Sequence, residues 1–181
     1  VITHGYQSEF NSGNLPFWVD GMAEAIANRW FGGTHTIPIY VMKIKEVSGE
    51  VIAEAPVKNN SAPDIKVAGG AILKVNWADL SCLTAFCSSP KTSTRRIADA
   101  IFKKLEEMSD PWLQIPIHLI GHSRGASVNS SLAHKLGENG IWVDHFTSLD
   151  PQPLTSIVND IDQTLTVIND WEVKIYENVL F

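Results

Sequence analysis

The sequence predicts an α/β fold in which a mainly parallel sheet is flanked by helices. Short apolar or β-branched segments alternate along the chain with segments whose apolar residues recur every three to four positions, the pattern of βαβ units. The length of 181 residues suits one domain. With 44% hydrophobic and 19% charged residues, the composition is ordinary for a globular domain. We therefore expect a single α/β domain over residues 1–181.

Three helices are predicted from apolar residues at helical spacing. Their ranges are Pro16–Trp30, about Thr94–Met108, and a segment that begins just after Ser123 and ends near Gly137. Gly32-Gly33 follows the first helix and is expected to stop it. The apolar faces of the first two helices comprise Trp18, Met22, Ile26 and Trp30, with Val19 and Ala23 beside them, and Ile97, Ile101, Leu105 and Met108.

The strands are predicted from short segments rich in β-branched and apolar residues. Their ranges are Val1–Thr3, Thr36–Lys45, Val51–Val57, Ala71–Trp77, Ile115–Ile120, Trp142–Leu149 and Val173–Phe181. The residues from Lys58 to Asp64 are expected to form a polar loop.

Charge and composition exclude several classes of partner. Fourteen basic and twenty acidic residues give a formal net charge of −6, and no basic run suits nucleic acid. No apolar stretch approaches the roughly 20 residues that cross a bilayer, and the first residues lack the pattern of a signal peptide. Cys82 and Cys87 allow either a local disulfide, which would suit secretion, or two free thiols. No metal or organic cofactor is implied.

The segment Gly121-His122-Ser123-Arg124-Gly125 fits the pattern G-x-S-x-G. A nucleophilic serine needs an exposed hydroxyl on a sharp strand-to-helix turn, and flanking glycines let neighbouring chains approach closely there. An apolar strand precedes this pentapeptide and a helical pattern follows it, as that turn requires. Ser123 is therefore the candidate nucleophile, although an ordinary tight turn between strand and helix would give the same local pattern.

With two further segments, the chain resembles the α/β-hydrolase superfamily, and in particular lipases with a pancreatic-lipase-like order of motifs. His4-Gly5-Tyr6 follows a strand and is similar to the His-Gly-aromatic oxyanion loop of that family. The resemblance implies that the backbone N–H groups of Tyr6 and Arg124 bind the oxyanion of the tetrahedral intermediate. The alternative for His4-Gly5 is an ordinary strand-ending turn.

The second segment is Thr147-Ser148-Leu149-Asp150-Pro151, at the end of the strand that follows the nucleophile helix. It resembles the Leu-Asp-Pro of such lipases, and the resemblance implies that Asp150 orients a catalytic histidine. A carboxylate at the carboxyl end of a strand would face the same sheet edge as Ser123. An Asp-Pro turn without catalysis is the alternative.

The order Ser…Asp…His calls for a histidine after Asp150, and the sequence has none there. All six histidines lie upstream: His4, His35, His118, His122, His134 and His145. We therefore expect a domain truncated at both ends, with the histidine on a segment absent here or on a separate chain. A sheet without its outer strands exposes unpaired backbone groups, so the missing segment or self-association is expected to complete it.

The predicted activity is hydrolysis of a small-molecule ester or a lipid through an acyl-enzyme at Ser123. The alternatives are a non-catalytic binding module on the same fold, or a thioesterase, amidase or acyltransferase that uses the same turn. Two smaller signals receive simpler interpretations. Asp160, Asp162 and Asp170 are expected to lie in a solvated loop rather than a calcium site, and Asp79 to cap a helix or turn.

Overall fold

The computed structural model describes residues 1–6, 14–33, 36–81, 92–153, 155–159 and 165–181. The protein has an α/β fold with a seven-stranded, mostly parallel sheet flanked by helices, as predicted, and a separate two-stranded sheet. The strands are β1 (Ile2–Thr3), β2 (Ile39–Val47), β3 (Glu50–Ala53), β4 (Val57–Lys58), β5 (Ile72–Asn76), β6 (His118–His122), β7 (His145–Leu149), β8 (Thr155–Asn159) and β9 (Leu165–Asn169). The helices are α1 (Phe17–Arg29), α2 (Ile65–Ala68), α3 (Ala78–Ser81), α4 (Thr94–Glu107) and α5 (Arg124–Glu138), and Trp30–Gly33 forms a 3₁₀ turn after α1. No helix among the described residues is long and apolar enough to span a membrane.

The strand order of the main sheet is β3-β2-β5-β1-β6-β7, with β4 pairing antiparallel to β2. Strands β2, β5, β1, β6 and β7 run parallel, so their carboxyl ends meet at one edge. The two-residue strand β1 lies in the middle, where Ile2 is in register with Lys74 on one side and Ile120 on the other. Because β1 and β6 are neighbours, the chain leaves both strands at adjacent points of that edge.

The core covers both faces of the sheet, because successive strand residues point to opposite faces. Leu73 and Leu119 belong to the cluster that α4 and α5 cover. Their neighbours Ile72 and Ile120 belong to the cluster that α1 covers. Burial of apolar side chains on both faces is typical of a parallel sheet between helices.

The prediction for the first helix needs correction in its buried face. The fully buried side of α1 consists of Val19, Ala23 and Ala27, while the predicted stripe of Trp18, Met22, Ile26 and Trp30 packs beside it, half-buried. The two alanines let α1 approach the sheet closely, and the larger side chains then fill the flanks. Helix α4 agrees with its prediction to within one residue at its carboxyl end.

The predicted strand over Val173–Phe181 is wrong. Only an isolated bridge, Val143↔Val179, forms there. Within this range, the Lys174 N–H donates to the side chain of Ser130, at 2.9 Å from Oγ, and just before it the Trp171 N–H donates to Thr94 Oγ1 at 2.9 Å. The antiparallel pair β8-β9 was not predicted, although both of its strands are rich in β-branched residues.

Candidate active site

Ser123 occupies the turn between β6 and α5 in a strained backbone conformation. Its φ is 52° and its ψ is −125°, a region that residues other than glycine rarely adopt. The Ser123 N–H donates to the Leu149 carbonyl at 2.9 Å, and the Ser123 carbonyl accepts from the Ala126 N–H at 3.0 Å. The turn is therefore fixed to β7 on one side and to the first turn of α5 on the other.

Glycines flank Ser123 because three backbones meet there. A Cβ added to Gly121 would lie 2.7 Å from the Ala126 Cα, within the first turn of α5. One added to Gly125 would lie 2.4 Å from the carbonyl oxygen of His4, at the end of β1. Both distances are far below a van der Waals contact, so the G-x-S-x-G pattern reflects close packing of α5 on the ends of β6 and β1.

The predicted oxyanion loop touches the predicted nucleophile. A Cβ added to Gly5 would lie 2.6 Å from Ser123 Cβ and 2.9 Å from Ser123 Oγ. A side chain at position 5 would thus occupy the space beside the serine hydroxyl. Tyr6, which is 42% exposed, follows directly.

His4 is buried and neutral, and it anchors this loop. Its Nδ1–H donates to the Gly5 carbonyl at 2.8 Å, and its Nε2 accepts from the backbone N–H of Trp77 at 3.3 Å. The Trp77 indole Nε1–H donates to the His4 carbonyl at 2.9 Å, and the two rings stack at 5.6 Å. Burial lowers the pKa of His4 to about 4, so the ring carries no charge at neutral pH.

Arg124 supplies the first backbone N–H of α5. The first N–H groups of a helix have no acceptor within the helix, and they lie at the positive end of its dipole. This N–H belongs to the residue that directly follows Ser123. The arrangement is suited to binding a negative oxygen close to Ser123 Oγ.

Asp150 follows β7 at the same sheet edge. In the parallel pairing of β6 and β7, His122 is in register with Leu149, so Ser123 and Asp150 are neighbours across the two strands. Asp150 is exposed, its φ is 44°, and its Oδ2 accepts from Gln152 Nε2 at 3.4 Å. The side chain is thus open to solvent on the strand next to the serine turn.

None of the five described histidines hydrogen-bonds to Ser123. The ring of His122 packs edge-on against that of Trp18 in α1, and the two ring centroids are 5.4 Å apart. The ring centroids of His118 and His145 are 4.6 Å apart, and both rings lie at the opposite, amino end of β6 and β7. His134 lies against Trp171 and Tyr176. His35 is outside the described residues, as are Cys82 and Cys87.

The side chain of Arg124 makes a buried ion pair that the sequence analysis missed. Asp170 was expected in a solvated loop, and this is wrong, because its carboxylate is fully buried against the Arg124 guanidinium. The carboxylate can be buried because the opposite charge of the guanidinium is buried with it and compensates for lost solvation. The available signal was its position directly after the β-branched segment Leu165–Asn169, as Asp150 directly follows a predicted strand. Asp160 and Asp162 lie outside the described residues.

Three further features of the described residues concern Asp79, metal binding and an apolar cavity. Asp79 is in α3, and its carboxylate pairs with Lys43 at 3.6 Å. No group of three or more His, Cys, Asp or Glu side chains forms a metal-binding arrangement within the part of the chain that the structure describes. An apolar cavity of about 340 Å³, lined in part by Val1, Ile72 and Ile117, lies at the amino edge of the sheet, opposite the serine turn.

The chain was compared with protein-family models, with curated proteins and with solved structures, and none of them matches it.

Proposed function

We propose that the protein is a serine hydrolase of the α/β-hydrolase type that cleaves carboxylic esters, with Ser123 as the nucleophile. The observation that carries the proposal is the strained backbone of Ser123 between β6 and α5, with Gly5 pressed against its side chain. Backbone strain persists only where the surrounding structure imposes it, and such sites concentrate where a side chain must be presented to a ligand. The His-Gly-Tyr and Leu-Asp-Pro segments favour a lipase or carboxylesterase within this class.

The proposed reaction has two steps. Ser123 Oγ bonds to the ester carbonyl carbon as its proton passes to a histidine, and the backbone N–H groups of Tyr6 and Arg124 bind the oxyanion. The intermediate expels the alcohol, which takes that proton, and leaves an acyl-enzyme. Water then attacks the acyl carbon in the same way, and the carboxylic acid leaves as Ser123 regains its proton.

The base belongs on the side of Asp150, whose carboxylate would orient the imidazole and stabilise its protonated form. The five described histidines have the other positions and contacts given above, and burial keeps His4 neutral. We therefore place the base at a histidine outside the described residues. Replacing Asp150 with Asn should lower kcat by a factor of about 10² or more, because a neutral amide does not stabilise the imidazolium.

A substrate panel tests the reaction class. We expect hydrolysis of p-nitrophenyl esters, with slower turnover of the matched thioester and anilide. Ser123→Ala should abolish hydrolysis of all three. Ser127→Ala is the matched control, because Ser127 lies in the same helix with a buried hydroxyl that has no hydrogen-bond partner among the described residues. Faster turnover of the thioester or anilide would move the protein to another hydrolase class, and turnover unaffected by Ser123→Ala would refute the proposed nucleophile.

A further inference from the structure

We infer that the buried ion pair of Arg124 and Asp170 positions the oxyanion hole, an inference that rests on the function proposed above. Arg124 follows Ser123 directly, so its side chain and the proposed oxyanion N–H belong to one residue. A constraint on that side chain is therefore also a constraint on the backbone that carries the donor. Asp170 follows β9 and is 46 residues away in sequence.

The Arg124 guanidinium donates four hydrogen bonds to the described part of the chain. Nε donates to Asp170 Oδ2 at 2.6 Å and Nη2 donates to Asp170 Oδ1 at 2.8 Å, a two-point pairing. Nη2 also donates to the Thr92 carbonyl at 2.7 Å, and Nη1 to the Ser81 carbonyl at 3.3 Å. The two side chains of the pair are 1% and 0% exposed. Two-point pairing with two further acceptors leaves the guanidinium plane one orientation.

Trp77 connects this ion pair to the other half of the oxyanion hole. The Arg124 guanidinium lies over the Trp77 ring at 5.3 Å. The same indole stacks on His4 and donates its Nε1–H to the His4 carbonyl, and His4 precedes Gly5 and Tyr6. The groups that set the positions of the Arg124 and Tyr6 backbones are thus in one contiguous buried stack.

Asp170 also ties the stack to α4. Its Oδ1 accepts from the backbone N–H of Thr94, the first residue of α4, at 3.3 Å. The next residue, Trp171, donates its N–H to Thr94 Oγ1 at 2.9 Å. The carboxylate is therefore fixed by its own backbone segment and by the start of a helix, which makes it a rigid reference point for Arg124.

Stability alone does not account for such a pair. Desolvating two charges offsets most of their attraction, and apolar residues of similar size often replace buried ion pairs without loss of stability. An apolar pair would not fix the direction of the side chain in the same way. The backbone packs closely around Gly125, next to Arg124. Small displacements of reacting groups lower reaction rates strongly.

Reaction with a fluorophosphonate probe separates positioning from stability, because its adduct places an oxygen in the oxyanion hole. We compare Asp170→Leu with the double variant Arg124→Met/Asp170→Leu. The double variant should have the higher Tm, since it buries no unpaired guanidinium. Its second-order labelling rate and kcat for an ester should stay at least about 10-fold below the wild type, whereas KM changes less than about 2-fold.

If the double variant recovered both its Tm and the wild-type labelling rate, the inference would be overturned, and the ion pair would contribute to stability only. If the wild-type protein does not react with the probe at all, the proposed function fails as well. Failure of the proposed function is thus distinguished from failure of the inference alone. Trp77→Phe tests the connection if the double variant does not fold. It keeps an aromatic ring but removes the Nε1–H that holds the His4 carbonyl. Labelling at the wild-type rate in a folded Trp77→Phe variant would also overturn the inference, and a several-fold slower rate would support it.

Discussion

Gly125 shows at the scale of single residues how closely the chain packs around Ser123. Its absent side chain makes room for the carbonyl oxygens of Thr3 and His4, which would lie 2.6 Å and 2.4 Å from an added Cβ. Both obstacles are backbone atoms of a central strand, and neither can rotate away. By contrast, a Cβ added to Gly21 in α1 would have no atom of the described residues within 4 Å.

We therefore predict opposite effects of the same substitution at these two positions. Gly125→Ala should lower the free energy of unfolding by about 1–3 kcal/mol, because it overpacks the junction of α5 with β1. Gly21→Ala should raise it by roughly 0.5–1 kcal/mol, because glycine is costly inside a helix. Urea denaturation measures both. Equal stability of Gly125→Ala and wild type would contradict the described packing.

His4 predicts a pH dependence of stability. Burial lowers its folded-state pKa from 6.5 to about 4, so the unfolded chain takes up a proton below pH 6.5 while the folded protein does not. The contribution of His4 to the free energy of unfolding is therefore complete above pH 6.5. It is lost as the pH falls towards 4, by roughly 3 kcal/mol in total. His4→Gln keeps an acceptor but does not titrate, so its stability should fall less over this range.

His118 is the control for that measurement. Partial burial and His145 also lower the pKa of His118, so it titrates in the same direction from the opposite edge of the sheet. His118→Gln should therefore reduce the acid sensitivity without affecting the loop that holds Gly5. A His4→Gln profile identical to that of the wild type would mean that the pKa of His4 is the same in the folded and unfolded states.

At the scale of elements, a buried lysine holds α1 on the sheet. Lys74 in β5 is 4% exposed and its Nζ lies 2.5 Å from Asp20 Oδ1, while Asp20 on α1 is 49% exposed. We predict that Asp20→Ala lowers the free energy of unfolding by about 1–3 kcal/mol, since it leaves the buried ammonium without the carboxylate of Asp20. Lys74→Met should cost less, because no charge is then buried. Thermal unfolding compares the two variants, and a more stable Asp20→Ala than Lys74→Met would contradict this role.

Local patterns predicted the elements that depend on one apolar face, and failed where partners are distant in sequence. Helix α4 was predicted because Ile97, Ile101 and Leu105 mark a single stripe. The strand predicted over Val173–Phe181 does not form there, and the Lys174 N–H bonds instead to the hydroxyl of Ser130, which is distant in sequence. The pairing of Arg124 with Asp170 was missed for the same reason, since it depends on the tertiary fold.

At the scale of the molecule, the parallel sheet gathers separate segments at one edge. His4 to Tyr6, the turn at Ser123 and Asp150 follow β1, β6 and β7, which are adjacent strands. The sequence predicted these segments from their motifs, and the strand order explains why they meet. The sequence predicted no catalytic histidine beside them, and none of the described histidines hydrogen-bonds to Ser123.

Because both core clusters share the same strands, the main sheet should unfold as one unit. We predict coincident urea transitions by far-UV circular dichroism and by tryptophan fluorescence, since the buried Trp77 reports on the core next to β5. Two separate transitions would indicate that α1 and its cluster form a unit distinct from α4 and α5.

The measurement that tests the central claim most directly is labelling with a fluorophosphonate probe, followed by mass spectrometry of the digested protein. We predict one adduct, on the peptide that contains Ser123, absent from Ser123→Ala and retained in Ser127→Ala. No adduct, or an adduct on another serine that persists in Ser123→Ala, would contradict the assignment of Ser123 as the nucleophile.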